Sequence, residues 1–226
     1  MKLVHDHSLA ATLDAINAAF FDGRKLTKAD RAKAAKWIAA RQGLERSYAG
    51  LFAPTDYDYA HWPKTFTGEK IGSNAATGHI LGEEACRALI LLDVDARYAQ
   101  DALARATESF LGRLNAGRPR TAGFYCCGIC TASFWRHLAA GGLDRQEKRL
   151  ANGLKHLQAE RDGQGRWRRF PFHYTVWALG EIDLPAARRE LRYAAPVLER
   201  VVRRRADADE YARRRRRIAE LALARC

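Results

Sequence analysis

The sequence predicts an all-α protein, and three observations support this. The alternation of apolar and polar residues that marks a half-buried strand is almost absent from the 226 residues. Apolar residues recur at helical spacing along most of the chain, and short turns that contain glycine separate the segments with this pattern. With 47% hydrophobic and 29% charged residues, the composition is that of a globular chain long enough to bury a core.

Caps and apolar stripes place the individual helices. The first helix begins after Ser8, an N-cap residue, and the second begins at Thr27 and ends near Gly43. The stretch 44–72, which is rich in aromatic residues and aspartate, is predicted to be a long loop. Further helices are predicted at about 74–92, 98–114, 124–140, 145–160, 172–181, 185–203 and 207–224.

Parts of the chain resemble one another. The sequences 87–93, 136–144 and 177–183 align on a shared leucine, with offsets of 49 and 41 residues. The helices before them also match, which predicts repeated αα-hairpins. Because such hairpins bury their apolar faces only against their neighbours, we expect them to stack into a curved or closed array. We assign residues 1–203 to a single αα-hairpin repeat domain and 204–226 to a basic C-terminal helix or tail.

Basic charge is concentrated near the end of the sequence. The formal net charge is +13, and the arginine-rich last 27 residues contribute about half of it. This segment is either a solvated helix or a surface that binds an anionic partner. No aromatic residues interleave with the arginine run at 213–217, so nucleic acid is not an expected partner.

Two further features of the sequence bear on the cellular location of the protein. No apolar run approaches the roughly 18 residues that a membrane-spanning helix needs, and the N-terminus has no apolar segment typical of a secretory signal. Three of the five cysteines lie within 126–130, and an odd number without a signal indicates reduced thiols. We therefore expect a cytoplasmic protein with no membrane span.

The third repeat carries a more specific pattern. Gln158 ends one helix, Asp-Gly-Gln-Gly-Arg-Trp follows at 162–167, and the next helix contains Thr-Val-Trp-Ala-Leu at 175–179. This pattern resembles the QW repeat of the squalene cyclase and protein prenyltransferase β-subunit superfamily. The resemblance implies an α/α-toroid-like ring or open arc, with Trp167 packed over Gln158 and an apolar or isoprenoid-like ligand in the concave face. An open arc would expose an apolar edge, so dimerisation is an open alternative.

The catalytic groups of that superfamily do not carry over to this chain. The Asp-x-Asp-Asp acid of the class II cyclases is missing, and its nearest counterpart is Asp56-Tyr57-Asp58. The stretches around Cys130 and His173 look like two of the zinc-binding stretches of the prenyltransferase β-subunits, with the register shifted by one residue. We therefore assign no catalytic residue and leave enzymatic activity undecided.

A cluster of candidate metal ligands includes the C-x-x-C motif of Cys127 and Cys130. In the repeat alignment His173 is equivalent to Glu83, and His79 lies one turn before Glu83 on the same helix face. Thiolates and imidazoles suit Zn²⁺, so the predicted ligands are Cys127, Cys130, His79 and His173. The alternatives are close packing of small cysteines, with no cofactor, and a reactive thiol.

Candidate ligand-binding residues fall near the same helix starts. The aromatic residues Trp135, Tyr174 and Trp177 would line an apolar cavity, with Glu83 as a polar group. Arg169 belongs to an arginine cluster that would hold a diphosphate or carboxylate. The alternatives are an ordinary core for the aromatic residues and a solvated turn for the arginines.

Three functions from different classes remain. The first is an αα-hairpin repeat protein that binds an apolar or isoprenoid-like ligand without a cyclase acid. The second is a zinc-dependent enzyme with a Cys/His site at the mouth of the cavity. The third is a scaffold whose basic tail binds an anionic partner.

Overall fold

The regular structure of the described residues is helical, as predicted. The computed structural model describes residues 2–117, 119–204 and 209–226. No strand occurs in these ranges, where extended backbone pairs only as isolated bridges such as 161–167. Across the same ranges, every helix is too short or too polar to cross a membrane.

The helices follow the predicted order along the chain. The last one was predicted from 207, and residues 207 and 208 lie outside the described residues. The helix predicted at 124–140 begins only at Gly128, which leaves Cys126 and Cys127 in the preceding turn. In chain order they are α1 Leu9–Phe21, α2 Lys28–Ala39, α3 Asp56–His61, α4 Asn74–Leu92, α5 Arg97–Asn115, α6 Gly128–Ala139, α7 Gln146–Ala159, α8 Phe172–Glu181, α9 Pro185–Arg203 and α10 Glu210–Leu223.

The predicted loop 44–72 contains the short helix α3, which was not predicted. Thr55 and Asp58 form a capping box at its start, each side chain bonding to the backbone N–H of the other residue. The buried Asp58 carboxylate also accepts the hydroxyl of Ser8 at 2.6 Å and the backbone N–H of Leu9 at 2.9 Å. Asp58, part of the nearest counterpart to a cyclase acid, is therefore bound to the starts of two helices and holds them in place.

The chain forms two compact units. Unit 1 comprises Met1–Lys64, Lys70–Arg120 and Ala140–Asp144, and contains α1 to α5. Unit 2 comprises Thr65–Glu69, Thr121–Ala139 and Arg145–Cys226, and contains α6 to α10.

Glycines allow two close backbone approaches in unit 2. An added Cβ at Gly123 would lie 1.9 Å from the carbonyl oxygen of Arg149 in α7. An added Cβ at Gly128, the first residue of α6, would lie 2.1 Å from the carbonyl oxygen of Arg169. Any side chain at these two positions would force the backbones apart, so glycine fixes how α6 meets its neighbours.

The last helix, α10, packs against α8 and α9 within unit 2. Its packed face buries Arg214, Ile218, Ala219 and Ala222. The unit therefore extends past residue 203, where the sequence placed the end of the repeat domain, because this face is covered by neighbouring helices.

The segment Thr65–Glu69 is a small turn that belongs to unit 2. The guanidinium groups of Arg214 and Arg215 donate to the carbonyl oxygens of Phe66 and Thr67, at 3.1 and 2.6 Å. The carboxylate of Glu69 accepts the backbone N–H of Tyr174 in the first turn of α8, at 3.2 Å. Arginines of the basic run therefore hold backbone in place, and a carboxylate lies at the positive end of α8.

The turn at 162–167 joins α7 to α8 and is stabilised by two carboxylates. Asp162 accepts the backbone N–H of Gln164 at 2.7 Å and that of Arg166 at 3.0 Å. The buried indole of Trp167 donates to Glu190 in α9 at 2.8 Å, whereas Gln158 is exposed. The resemblance implied Gln158 under the indole, but the hydrogen-bond partner of Trp167 is Glu190.

Candidate functional site

The loop before α6 is held in a fixed conformation by one threonine. The Thr131 hydroxyl donates to the carbonyl oxygen of Tyr125 at 2.7 Å and accepts the backbone N–H of the same residue at 3.0 Å. Cys126 adopts a left-handed backbone conformation with φ of 45°, which is uncommon for a residue other than glycine. The conformation of the turn that presents the cysteines is therefore fixed by hydrogen bonds to Thr131.

Cys127 occupies the N-cap position of α6. Its carbonyl oxygen accepts the backbone N–H of Thr131 at 2.9 Å, the first hydrogen bond of the helix. Its sulfur accepts hydrogen bonds from the thiol of Cys130 and from the backbone N–H groups of Cys130 and Ile129, with a further bond from the Cys126 thiol. Cys127 is half-buried, whereas Cys126 is exposed and Cys130 is buried.

These hydrogen bonds decide the protonation state of Cys127. The bond from the Cys130 thiol is the largest contribution, and despite the opposing effect of burial the pKa of Cys127 is lowered to about 5. The positive end of the helix acts in the same direction. The lowered pKa favours the thiolate form of Cys127, which is the nucleophilic form of cysteine.

The pKa of Cys130 is shifted in the opposite direction. Its hydrogen bond to Cys127, together with burial, raises the pKa of the Cys130 thiol far above its usual range. The residue is fully buried, at 0% exposure. The site therefore pairs an accessible thiolate with a protected, protonated thiol one turn further along the helix.

The other half of the site is the segment 166–170. The carbonyl oxygen of Arg169 lies against Gly128, next to Cys127, as the close approach at that glycine requires. The side chains of Arg168 and Arg169 are exposed, and Arg166 lies over the ring of Phe172 at 4.4 Å. The backbone of this basic turn therefore packs against Gly128, the residue that follows Cys127.

His173 lies in the first turn of α8, among charged groups of unit 2. Burial first, then the guanidinium groups of Arg215 and Arg166, lower its pKa to about 4, against the opposing effect of Glu69. The ligand atoms of Cys127, Cys130 and His173 do not fall within 4.8 Å of one another in the described structure. The structure therefore does not assemble these three predicted ligands into one metal site, and the charged groups that act on the imidazole are Arg215, Glu69 and Arg166.

The two remaining polar candidates lie together in unit 1. His79 Nε2 lies 3.1 Å from Glu83 Oε1, one turn apart on α4 as predicted. Both side chains are buried, and the imidazole stacks on the ring of Tyr48 with centroids 4.8 Å apart.

The three candidate aromatic residues lie in the core of unit 2. Trp135 is 0% exposed and Tyr174 is 1% exposed. The guanidinium carbon of Arg136 lies 3.3 Å from the centroid of Trp177 and covers its face. Arg136 is itself fixed by two hydrogen bonds to Glu181, at 3.0 and 3.1 Å. These rings pack against protein groups, in agreement with the alternative of an ordinary core.

Two contributions to the site were not predicted from the sequence. Thr131 follows the C-x-x-C motif directly, and its hydroxyl fixes the preceding turn rather than binding a ligand. The backbone of Arg169 lies beside Gly128, although 41 residues separate the two. A glycine between two cysteines was the only sign in the sequence of this close approach.

Comparison with known proteins returns no match for this chain, whether with protein-family models, curated proteins or solved structures. A function must therefore be argued from the site itself.

Proposed function

We propose that Cys127 and Cys130 form a redox-active dithiol that exchanges with the disulfide of a second molecule. The observation that carries this proposal is the position of the pair: Cys127 at the N-cap of α6, half-buried, and Cys130 one turn later, fully buried. A substrate can reach only one of the two sulfurs. This asymmetry separates an attacking cysteine from a resolving one.

The exchange proceeds in two steps that balance. The thiolate of Cys127 attacks one sulfur of a disulfide R–S–S–R, forms a mixed disulfide Cys127–S–S–R and releases R–S⁻. Cys130 then loses its proton to the departing thiolate or to water and attacks the sulfur of Cys127. A Cys127–Cys130 disulfide forms and a second R–S⁻ leaves. The protein loses two electrons and the substrate gains them.

The local geometry suits the second step. Residues at positions i and i+3 of a helix have Cβ atoms about 5–6 Å apart. A disulfide needs a Cβ separation of about 3.5–4.5 Å, so a small movement of the first turn suffices. The Cys130 thiol is also close enough to the sulfur of Cys127 to influence its pKa.

Trapping of the mixed disulfide tests this function. The reduced full-length chain is treated with 2-hydroxyethyl disulfide, and the adducts are located by peptide mass mapping. We expect the wild type to release two thiols, and Cys130→Ser to accumulate one adduct on Cys127. Cys127→Ser should form no 127–130 disulfide, and Cys226→Ser, which removes an exposed thiol elsewhere in the unit, should behave as the wild type. An adduct on Cys226 alone would contradict the proposal.

A zinc centre is the second candidate, because three thiols lie together. The side chain of Cys126 hydrogen-bonds to both Cys127 and Cys130, and clustered thiolates suit Zn²⁺. Elemental analysis of the purified protein separates the two functions. About one zinc per chain, with thiols that react only after chelation, would favour the metal. Metal-free protein with a reactive Cys127 would favour the dithiol.

The toroid-like arrangement, the isoprenoid-like ligand and the anionic partner of the basic tail stay predictions. The burial of Trp135 and Tyr174 gives the apolar ligand no support. The use of Arg214 and Arg215 to bind backbone carbonyls leaves fewer arginines of α10 for a partner.

A further inference from the structure

The two segments that meet at the start of α6 have an unbalanced charge. Residues 121–143 and 163–173 contain no aspartate or glutamate. The second segment contributes Arg166, Arg168 and Arg169. The close approach of Gly128 to the carbonyl oxygen of Arg169 brings the backbone of this basic segment against the residue that follows Cys127.

These arginines are placed to act on a substrate. The groups that lower the pKa of Cys127 are hydrogen-bond donors of its own loop and helix. The side chains of Arg168 and Arg169 are exposed, so they remain accessible to charges on an incoming molecule. The carboxylates of an acidic disulfide lie several bonds from its sulfur atoms, which is the reach that a long arginine side chain covers.

We infer that Arg168 and Arg169 select anionic, low-molecular-weight disulfides as substrates of the Cys127–Cys130 pair. This inference rests on the proposed dithiol function and adds the substrate class. The substrate is expected to be a small molecule, since Cys127 is half-buried and the backbone of Arg169 packs against the next residue, Gly128. Opposite charge raises the encounter rate of such a substrate and orients its carboxylates while the thiolate attacks.

Three disulfides that differ in charge test the inference. Glutathione disulfide is anionic, 2-hydroxyethyl disulfide is neutral and cystamine is cationic. The rate of 127–130 disulfide formation is measured with each, at low and at high ionic strength, by mass mapping of acid-quenched samples. We expect the anionic disulfide to react fastest and the cationic one slowest, and we expect added salt to narrow the difference because it screens exposed charges.

The arginine variants give the matched comparison. Arg169→Ala should slow the reaction with glutathione disulfide by about two- to fivefold, the factor for an exposed ion pair, and leave the neutral disulfide unaffected. The double variant Arg168→Ala/Arg169→Ala should slow the reaction with glutathione disulfide further. Arg189→Ala removes an exposed arginine of α9, outside both segments, and should change neither rate.

The failures of the two proposals can be told apart. If all three disulfides form the 127–130 bond at equal rates, or if salt and Arg169→Ala have no effect, the charge selection is wrong and the dithiol function stands. If none of the three forms that bond, the dithiol function itself is wrong.

Discussion

The thiol of Cys130 hydrogen-bonds to the sulfur of Cys127, and this bond contributes most to the low pKa of Cys127. Cys130→Ala removes it, so we expect the pKa of Cys127 to rise from about 5 towards its usual range. The pH dependence of the rate at which iodoacetamide alkylates Cys127 measures this pKa. Cys86→Ala, which alters a buried cysteine of α4, is the control and should leave the midpoint in place. An unchanged midpoint in Cys130→Ala would show that the hydrogen bond does not set the pKa.

His173 makes the folded state sensitive to acid. Its pKa of about 4 lies below the value near 6.5 expected for the unfolded chain. Above pH 6.5 the imidazole is neutral in both states, whereas between pH 6.5 and 4 only the unfolded chain takes up the proton. The stability contributed by neutral His173 is therefore lost as the pH falls through this window.

The comparison of wild type with His173→Gln measures this contribution. Between pH 7 and 4 we expect the free energy of unfolding of the wild type to fall by about 2–3 kcal/mol more than that of the variant. Urea denaturation at several pH values gives both curves. If the free energies of unfolding of the two proteins fall in parallel with pH, the pKa of His173 is not lowered in the folded state. Glu69 would then offset the effect of Arg215 and Arg166 on this pKa.

Trp167 joins the 162–167 turn to α9 through its ring and its indole N–H. Because the side chain is buried, we expect Trp167→Ala to lower the free energy of unfolding by about 3–5 kcal/mol. Trp167→Phe keeps an aromatic ring but loses the hydrogen bond to Glu190, and we expect a smaller loss of about 1–3 kcal/mol. Equal losses for the two variants would show that the hydrogen bond, rather than the burial, stabilises the turn.

Individual residues show where sequence reasoning stops. The C-x-x-C motif could be placed near the start of a helix, because apolar periodicity predicted a helix over 124–140. The partner of Trp167 could not, because Glu190 lies 23 residues away and only the packing of α9 brings it near. The same holds for Arg169, since its contact with Gly128 depends on the close approach of two backbones.

At the level of elements, α10 has two faces of different character. Arg214 is 7% exposed, donates to the carbonyl oxygen of Phe66 and pairs with Glu210. Its neighbour Arg213 is exposed. We expect Arg214→Ala to lower the free energy of unfolding by about 2–3 kcal/mol, because it removes charged hydrogen bonds at a buried position. Arg213→Ala should change it by less than about 0.5 kcal/mol.

Thermal or urea denaturation of the two single variants makes this comparison directly. Equal stability of Arg214→Ala and Arg213→Ala would mean that the basic run is solvated throughout and that α10 contributes little to unit 2.

Long helices were predicted better than short ones. The stripe and caps of α4 gave its bounds of 74–92, because nineteen residues average over many weak preferences. The helix α3 has six residues, and its signal was the pair Thr55 and Asp58 within a stretch that otherwise reads as a loop. The late start of α6 follows from the left-handed backbone at Cys126, which periodicity does not report.

For the whole molecule, the sequence supported the all-α class but not the division into units. The segment Thr65–Glu69 belongs to unit 2, although the sequence on either side of it belongs to unit 1. Its place depends on hydrogen bonds to Arg214 and Arg215, about 148 residues further along the chain. Contacts between residues this far apart in the sequence produce no periodic or compositional pattern from which they could be predicted.

The central claim is that one pair of cysteines forms a disulfide reversibly. Equilibration of the full-length protein in glutathione buffers of graded redox potential, followed by acid quenching, alkylation and peptide mass mapping, tests it most directly. We predict that a disulfide between Cys127 and Cys130 appears and disappears in a single two-electron transition, with Cys86 reduced throughout. A transition without this disulfide, or thiols at 126–130 that remain unoxidised until zinc is removed, would contradict the account.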